Sequence, residues 1–533
     1  MKKVVSLCLA AVLAAGILAG CGSGGTSEEN TGTASTSQTA GVSSMVFADT
    51  QSPTNLDCAV GWNGWYTSRY GITETLFNLD KEMKAKPWLA KSCEAVDDTT
   101  WKITLRDDVT FQNGKKMTAQ SVIDSWNRTM KINTRLNELL FIDSMTADSE
   151  TVLTVKTTKP VPAFESNLCD PIASITDVIA GSPSGIEPTT IVTTDNKSTG
   201  PYMAVNYDVK KQCNVKRYDG YWGGTPKLET ATFNIIADPS ALAMAQQSGE
   251  SDVSLTIPST SLSLFDNNSN YVVDGATGSR GQVMFINFKN EFLQDINVRK
   301  ALSMCIDKES YAKGLNKGAS EPANGLFPDS FDFGGKDLKG YSYDLEGAKK
   351  LLDEAGYQDT DGDGIVEKDG KPLSLRICTY STKAELPVFS QALADAAKQI
   401  GIDIQIDIEA YDAIVDRQEN GNFDLMLISF TMCPEGDPQY FCDLAFKTDG
   451  SSNYGNYSNA EVDALIDQLD QEFDQEKRVS LAKEIQQKIL DDAGFIVFGH
   501  AKFTNVLKSS VSGCETNPSE YYLITAETTM SKA

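Results

Sequence analysis

From residue 44 onward, short stretches of alternating apolar and polar residues are interleaved with longer ones whose apolar residues recur every three or four positions. Alternation turns one face of a strand inward, whereas the longer period marks a helix with one buried stripe. The first half reads as a mixture, with strands predicted at 44–48, 101–105 and 151–155 and a helix at 119–130. The second half is more regular: helices at 344–355, 384–400 and 475–490 alternate with apolar strands at 374–379, 402–408 and 424–429. Strands separated by helices pack as an open, largely parallel sheet, so an α/β fold is expected. Val298, Ala301, Leu302 and Cys305 share one helical face and form a core stripe. Gly249-Glu250 and residues 283–287 mark the approach to a change of lobe, and 495–498 reads as a return strand.

The first twenty residues follow another pattern. Lys2 and Lys3 precede an apolar run over residues 4–18 that ends in small residues, the form of an export signal. The run falls short of the roughly 20 residues a spanning helix needs, and no comparable uncharged stretch follows. Leu18-Ala19-Gly20-Cys21 resembles the bacterial lipoprotein signal, in which the cysteine becomes an acylated N-terminus. Cys21 is therefore the predicted lipidation site and membrane anchor, each buried methylene contributing roughly 0.8 kcal/mol. Residues 22–44 contain no large apolar side chain and read as a tether with an end-to-end distance of roughly 25 Å.

The formal charge of −26, more negative still without Lys2 and Lys3, argues for solubility, and no cluster of basic and aromatic residues points to nucleic acid. The length beyond the tether exceeds one ordinary core, so at least two lobes are expected. Beyond Cys21, cysteines stand singly at 58, 93, 169, 213, 305, 378, 433, 442 and 514; this odd, dispersed set suits small buried hydrophobes better than disulfides or zinc.

Catalytic motifs are scarce. A single histidine, His500, precludes H-E-x-x-H and leaves any Ser-His-Asp triad dependent on that one residue. No G-x-S-x-G accompanies it, no G-x-x-x-x-G-K-[ST] occurs, and no G-x-G-x-x-G opens a dinucleotide fold. A binding protein without cofactor is expected rather than an enzyme. His500 and Cys433 are the weak candidates for a metal ligand, His500 reading more simply as a structural residue at a strand end. The stretch from Asp359 to Gly364 resembles the start of an EF-hand loop, but its twelfth position is Gly370 in place of the bidentate Glu, so a hairpin turn is expected.

Four blocks carry a broader resemblance. They are ETLFNLD from Glu74 with PWLA from Pro87 and LRDDVTFQNGKKMTAQSVIDSW from Leu105; STGPY from Ser198 with YDGYWGGTPKL from Tyr218; INF from Ile286 with DINVRKALSMCIDKESY from Asp295; and FDLM from Phe423 leading to Gly436-Asp437-Pro438. In this order they resemble family 5 of the extracellular solute-binding proteins, the dipeptide, oligopeptide and nickel binders of ABC importers. The resemblance implies a two-lobed periplasmic-binding-protein fold of type II, with an extra subdomain in the first lobe and the ligand engulfed between lobes. It divides the chain into a signal peptide (1–20), a tether (21–44), lobe I (45–288), lobe II (289–494) and a return segment completing lobe I (495–533). It also implies ABC permease subunits as partners and a monomer outside the membrane.

In the peptide-binding members, an acidic residue after the strand matching 424–429 meets the ligand's amino terminus. The corresponding loop here makes Thr431, Glu435 and Asp437 the candidates, although Asp before Pro also initiates turns, and the acidic arrangement departs from that of the peptide binders. The aromatic segment of the first lobe adds Trp62, Asn63, Trp65, Tyr66 and Arg69, with Arg69 suited either to a ligand carboxylate or to a surface ion pair. Peptide capture is the expected function; the alternatives are a nickel or nickel-metallophore binder, a secreted hydrolase and a sensory lipoprotein.

Overall fold

The computed structural model describes residues 43–177 and 197–531. The export signal, Cys21 and the tether up to residue 42 lie outside the described residues. Ser44, where the expected tether and the predicted strand at 44–48 overlap, belongs to the first strand, Ser44–Asp49.

One eleven-stranded sheet organises the molecule. At one end Asp403–Glu409, Ser374–Tyr380 and Leu425–Thr431 run parallel, as the alternation of strand and helix predicts. At the other end Ser44–Asp49 lies parallel to Thr230–Ile235, and two further strands, Gln212–Arg217 and Tyr202–Asp208, continue antiparallel. Two long strands, Tyr271–Ile286 and Phe495–Lys508, join the ends by pairing with each other along their length. Sixteen extended residues reach about 50 Å, enough to pass through both lobes. Their register breaks between Thr277 and Gly281 and again between Gln282 and Val283. Such bulges bend a strand and sharpen its twist, giving the crossing a local change of direction. Glycine is required there, because a Cβ on Gly278 would overlap the Phe503 ring.

A separate four-stranded antiparallel sheet is built from Ala90–Asp97, Thr100–Leu105, Val152–Thr157 and Ile142–Ala147. The helix Ala119–Ile132 packs with it through the buried Ala119, Val122, Ile123 and Trp126, a stripe at helical spacing. Thr118 caps this helix in a reciprocal arrangement with Ser121. Leu345–Glu354, Glu385–Gln399 and Gln475–Asp491 match the three helices predicted in the second half. Val298, Ala301, Leu302 and Cys305 are all buried, as their spacing requires. The nine cysteines beyond Cys21 lie singly in the fold, and only Cys93 is more than marginally exposed. Glu367–Lys368 and Lys371–Pro372 form a short hairpin after the Asp359 loop.

Candidate ligand cleft

The two lobes meet where the loop after Leu425–Thr431 approaches the first lobe. Gly436 makes this approach possible: its φ of +74° is left-handed, and a Cβ there would overlap the Met83 carbonyl oxygen. Beside it the fully buried Glu435 meets Arg135, whose Nη2 donates to Oε1 at 2.9 Å and to Asp170 Oδ2 at 2.5 Å. Arg135 also lies 4.8 Å from the Trp62 ring centroid and 5.4 Å from that of Tyr440, and Nη1 donates to the Tyr440 hydroxyl at 3.2 Å. One guanidinium thus joins both lobes.

Charge in this layer is strongly perturbed. Burial opposes the charge on Arg135, but Asp170 and Glu435 outweigh it and raise its pKa further. Burial also lifts Glu435 above the usual carboxylate range; Arg135 pulls it down and Asp170 pushes it up. The layer is incompletely paired: Arg135 Nε, Glu435 Oε2, Trp65 Nε1 and Tyr521 Oη are buried and have no hydrogen-bond partner among the described residues. Trp65 packs edge-on against Tyr521 at 5.1 Å and against Trp62 at 5.5 Å, so the four orphans are linked through contacting side chains. Most buried polar groups are paired, and a concentration of exceptions marks a place where a further polar partner fits.

Cavities open on both sides of this layer. One of about 640 Å³ is bounded by Met83, Trp101, Phe331, Gly436 and Phe473. The other, about 930 Å³, is bounded by Trp62, Arg135 and Lys159 from the first lobe and by Tyr440, Asp443 and Lys447 from the second. Both lie within the usual size range of small-ligand sites.

The residues singled out from the sequence divide into two groups. Trp62, 55% exposed, Trp65 and Glu435 lie in the interlobe layer. The others are occupied elsewhere. Asn63 receives hydrogen bonds from Thr54 and donates to Asn55 Oδ1 at 3.0 Å. The Tyr66 hydroxyl donates to Gln51 Oε1 at 3.0 Å. Arg69 reaches Asp49 at 2.8 Å and the Glu520 carbonyl at 3.0 Å, a largely buried ion pair rather than the surface one expected. Thr431 ends its strand opposite Arg280.

Asp437 lines the smaller cavity and is at the same time held by partners in its own lobe. Its Oδ1 accepts from Arg478 Nη2 at 2.6 Å and from the Gln439 backbone N–H at 2.9 Å, all within the second lobe. Burial holds the Cys433 thiol well above its ordinary pKa, which opposes the thiolate a metal needs. Burial pushes His500 down to about 3, with Lys308 adding to the shift, and both ring nitrogens lack partners among the described residues. The carboxylates of Asp359, Asp361, Asp363 and Glu367 offer oxygens within 4.8 Å of one another, with Glu367 at the ninth position of the loop. Asp359, Asp361 and Asp363 are exposed, and the loop takes no part in either interlobe cavity.

Sequence reasoning did not single out Arg135, Asp170, Tyr440 or Tyr521. Arg135 opens an ordinary short helix, Arg135–Leu140, and Asp170 caps the turn Pro171–Ala173. The available signal was Asp170 before Pro171, which indicates a turn but not a partner.

A family model for bacterial extracellular solute-binding proteins, family 5 Middle, matches residues 84–453. The nickel-binding protein NikA of Staphylococcus aureus is 30% identical over 468 residues, covering 87% of this chain and 90% of that protein. The oligopeptide-binding protein AppA of Bacillus subtilis is 25% identical over 83% of each chain. The solved nickel ABC transporter structure from Bacillus halodurans superposes with a TM-score of 0.78 at 30% identity, covering 92% of this chain and all of that one.

Proposed function

This chain belongs to the bacterial extracellular solute-binding proteins of family 5, the substrate-binding components of ABC importers, and from that premise we propose that its cargo is a short peptide. The observation that carries the reading is the unfinished polar layer joining the lobes. Arg135, which lines the larger cavity, retains a buried Nε with no partner among the described residues, and further unmet polar atoms of Trp65 and Tyr521 lie behind it. The larger cavity has four carboxylates, Glu138, Asp443, Asp449 and Asp470, against three cations, Arg135, Lys159 and Lys447. A near balance of charge suits a zwitterion better than a free anion or cation. Aromatic faces from Trp62 and Tyr440 supply sequence-tolerant apolar area beside these groups.

The mechanism follows from contact with both lobes. A ligand binding Arg135 and Trp62 on one side and Tyr440 and Glu435 on the other favours the closed arrangement by its differential affinity, and the permease reads closure. Acyl chains on Cys21 keep the body near the permease. No covalent step is involved.

A second reading has its own support: the Staphylococcus aureus and Bacillus halodurans proteins cited above are named for nickel. His500 and Cys433 are poor ligands, and the described carboxylate cluster lies on the Asp359 loop, so nickel would enter as an amino-acid chelate. Thermal unfolding separates the readings. The body from Gly41 onward, one compact unit, is stripped of carried solute and heated with di- to pentapeptides or with nickel and excess free histidine. At a hundredfold excess over Kd a true ligand adds about 2.7 kcal/mol of stability. A rise with peptides is expected; a rise with nickel-histidine alone replaces the peptide reading by the chelate.

A further inference from the structure

The smaller interlobe cavity carries polar groups that the fold leaves unmet. Trp101 and Arg478 both line it, and both are almost wholly buried, at 5% and 1% exposure. Neither Trp101 Nε1 nor Arg478 Nε has a hydrogen-bond partner among the described residues. The other guanidinium nitrogens of Arg478 are engaged by Asp437, Gln439 and two backbone carbonyls, so Nε is the donor left over. Glu165 lines the same space, partly buried, and its carboxylate accepts no hydrogen bond among the described residues. Burial raises its pKa and only Lys86 opposes the rise, as expected of a carboxylate without donors.

These groups come from both lobes. Trp101 belongs to the strand Thr100–Leu105 of the four-stranded sheet and Glu165 to the short helix Phe164–Asn167, whereas Arg478 lies in Gln475–Asp491 of the second lobe. Aromatic walls complete the space. The Trp101 ring stacks on Phe164 at 4.8 Å and lies 6.0 Å from Phe473, and Phe331 packs edge-on against Phe333 at 5.4 Å. Such faces favour a flat ligand ring. Most charges here are already matched: Arg478 with Asp437, Lys84 with Asp332 at 2.8 Å, and Lys86 with Asp80 at 3.2 Å. Glu82 and Glu165 stand outside these pairs, so an anionic ligand would meet repulsion and a neutral one fits better.

We propose that this cavity is a second ligand site, taking a small neutral aromatic carboxamide whose carbonyl oxygen accepts from Trp101 Nε1 and Arg478 Nε and whose amide N–H donates to Glu165. The site is separate from the solute cavity around Arg135 and independent of that solute's identity, because the two cavities share no lining residue. A ligand held by Trp101 on one lobe and Arg478 on the other favours closure by its differential affinity, and so couples positively to capture in the larger cavity. Each contact also supplies a partner to a group that is costly to bury without one.

The test crosses ligand changes with side-chain changes. para-Fluorobenzamide and para-fluoroacetophenone are titrated into the purified protein and followed by fluorine NMR; the ketone keeps the ring and carbonyl but has no N–H. Wild type is expected to bind the amide at one site and the ketone more weakly. Trp101→Phe keeps the stack on Phe164 and removes one donor, so it should weaken both probes by roughly 3- to 10-fold, the contribution of a neutral hydrogen bond. Glu165→Leu removes the acceptor from a partly exposed position. It should weaken the amide by roughly 10- to 100-fold, the range for a charged hydrogen bond, and leave the ketone unchanged. Trp62→Ala, which alters the larger cavity, should keep the amide affinity within about twofold. Full amide affinity in folded Trp101→Phe or Glu165→Leu overturns the site, and so does a loss in Trp62→Ala, which would place the amide in the larger cavity. A wild-type protein silent to the amide also overturns it, and leaves the reading of the larger cavity standing.

Discussion

Two acids in one loop, Glu435 and Asp437, are assigned opposite roles, and Asp437→Ala tests the assignment. Arg478 is fully buried, and Asp437 at 2.6 Å is its only carboxylate partner within ion-pair distance among the described residues. Removing one member of such a pair leaves an uncompensated buried charge, a cost of about 3–5 kcal/mol. Arg478 keeps the Leu469 carbonyl at 2.7 Å, the Glu472 carbonyl at 3.1 Å and Gln439 Oε1 at 3.3 Å, which places the cost near the lower end, about 3 kcal/mol. Asp437→Ala/Arg478→Met removes both charges and should recover most of the loss. Urea unfolding reads these differences as midpoint shifts at unchanged slope. For a ligand in the larger cavity, affinity of folded Asp437→Ala should stay within about twofold, because Asp437 lines the smaller one and its carboxylate is held by Arg478. An Asp437→Ala protein as stable as wild type, or one that keeps its stability but loses ligand, would refute the assignment.

Other perturbations address different levels. Gly436→Ala should weaken cargo binding at least tenfold and abolish ligand-dependent contraction in X-ray scattering, since the added methyl blocks the Met83 carbonyl and favours no left-handed φ. Buried Glu74, which accepts from Tyr221 at 2.7 Å and Trp222 at 3.1 Å, is raised by burial to about 7 from an ordinary 4.5. The folded state therefore holds the extra proton between these values, and stability should fall as pH rises through the window, by up to about 1.4 kcal/mol per unit. Urea titrations at pH 5 and pH 7 should show this contribution, and Glu74→Gln should remove it. Thr118→Ala should lose about 1 kcal/mol of stability through its helix cap without touching cargo affinity.

Much of the second half was legible because its elements are separately periodic: 374–379, 402–408 and 475–490 each needed only their own residues to be recognised. The crossing strand Tyr271–Ile286 was not. Gly275, Gly278 and Gly281 read locally as turn signals, whereas the fold uses this part of the strand to accommodate bulges and a tight approach to Phe503. Its partner was recognised only at its apolar start, Phe495 to Phe498, and not through the polar continuation to Lys508. The site divides in the same way. Trp62 and Trp65 announced themselves as aromatics beside glycines, but Arg135 meets Glu435 across 300 positions of sequence, a pairing no local pattern encodes. Asp437 was ambiguous for a physical reason: a carboxylate before proline suits a turn and a ligand alike until its partner, Arg478, is placed.

The central claim is that Arg135 anchors a solute between the lobes. The most direct measurement is a calorimetric titration of a fractionated peptide ligand into wild type and Arg135→Met. The account predicts one site per chain in wild type and an affinity lower by roughly 10- to 100-fold in the variant, the range for a lost charged hydrogen bond. Equal affinity for both proteins would contradict it.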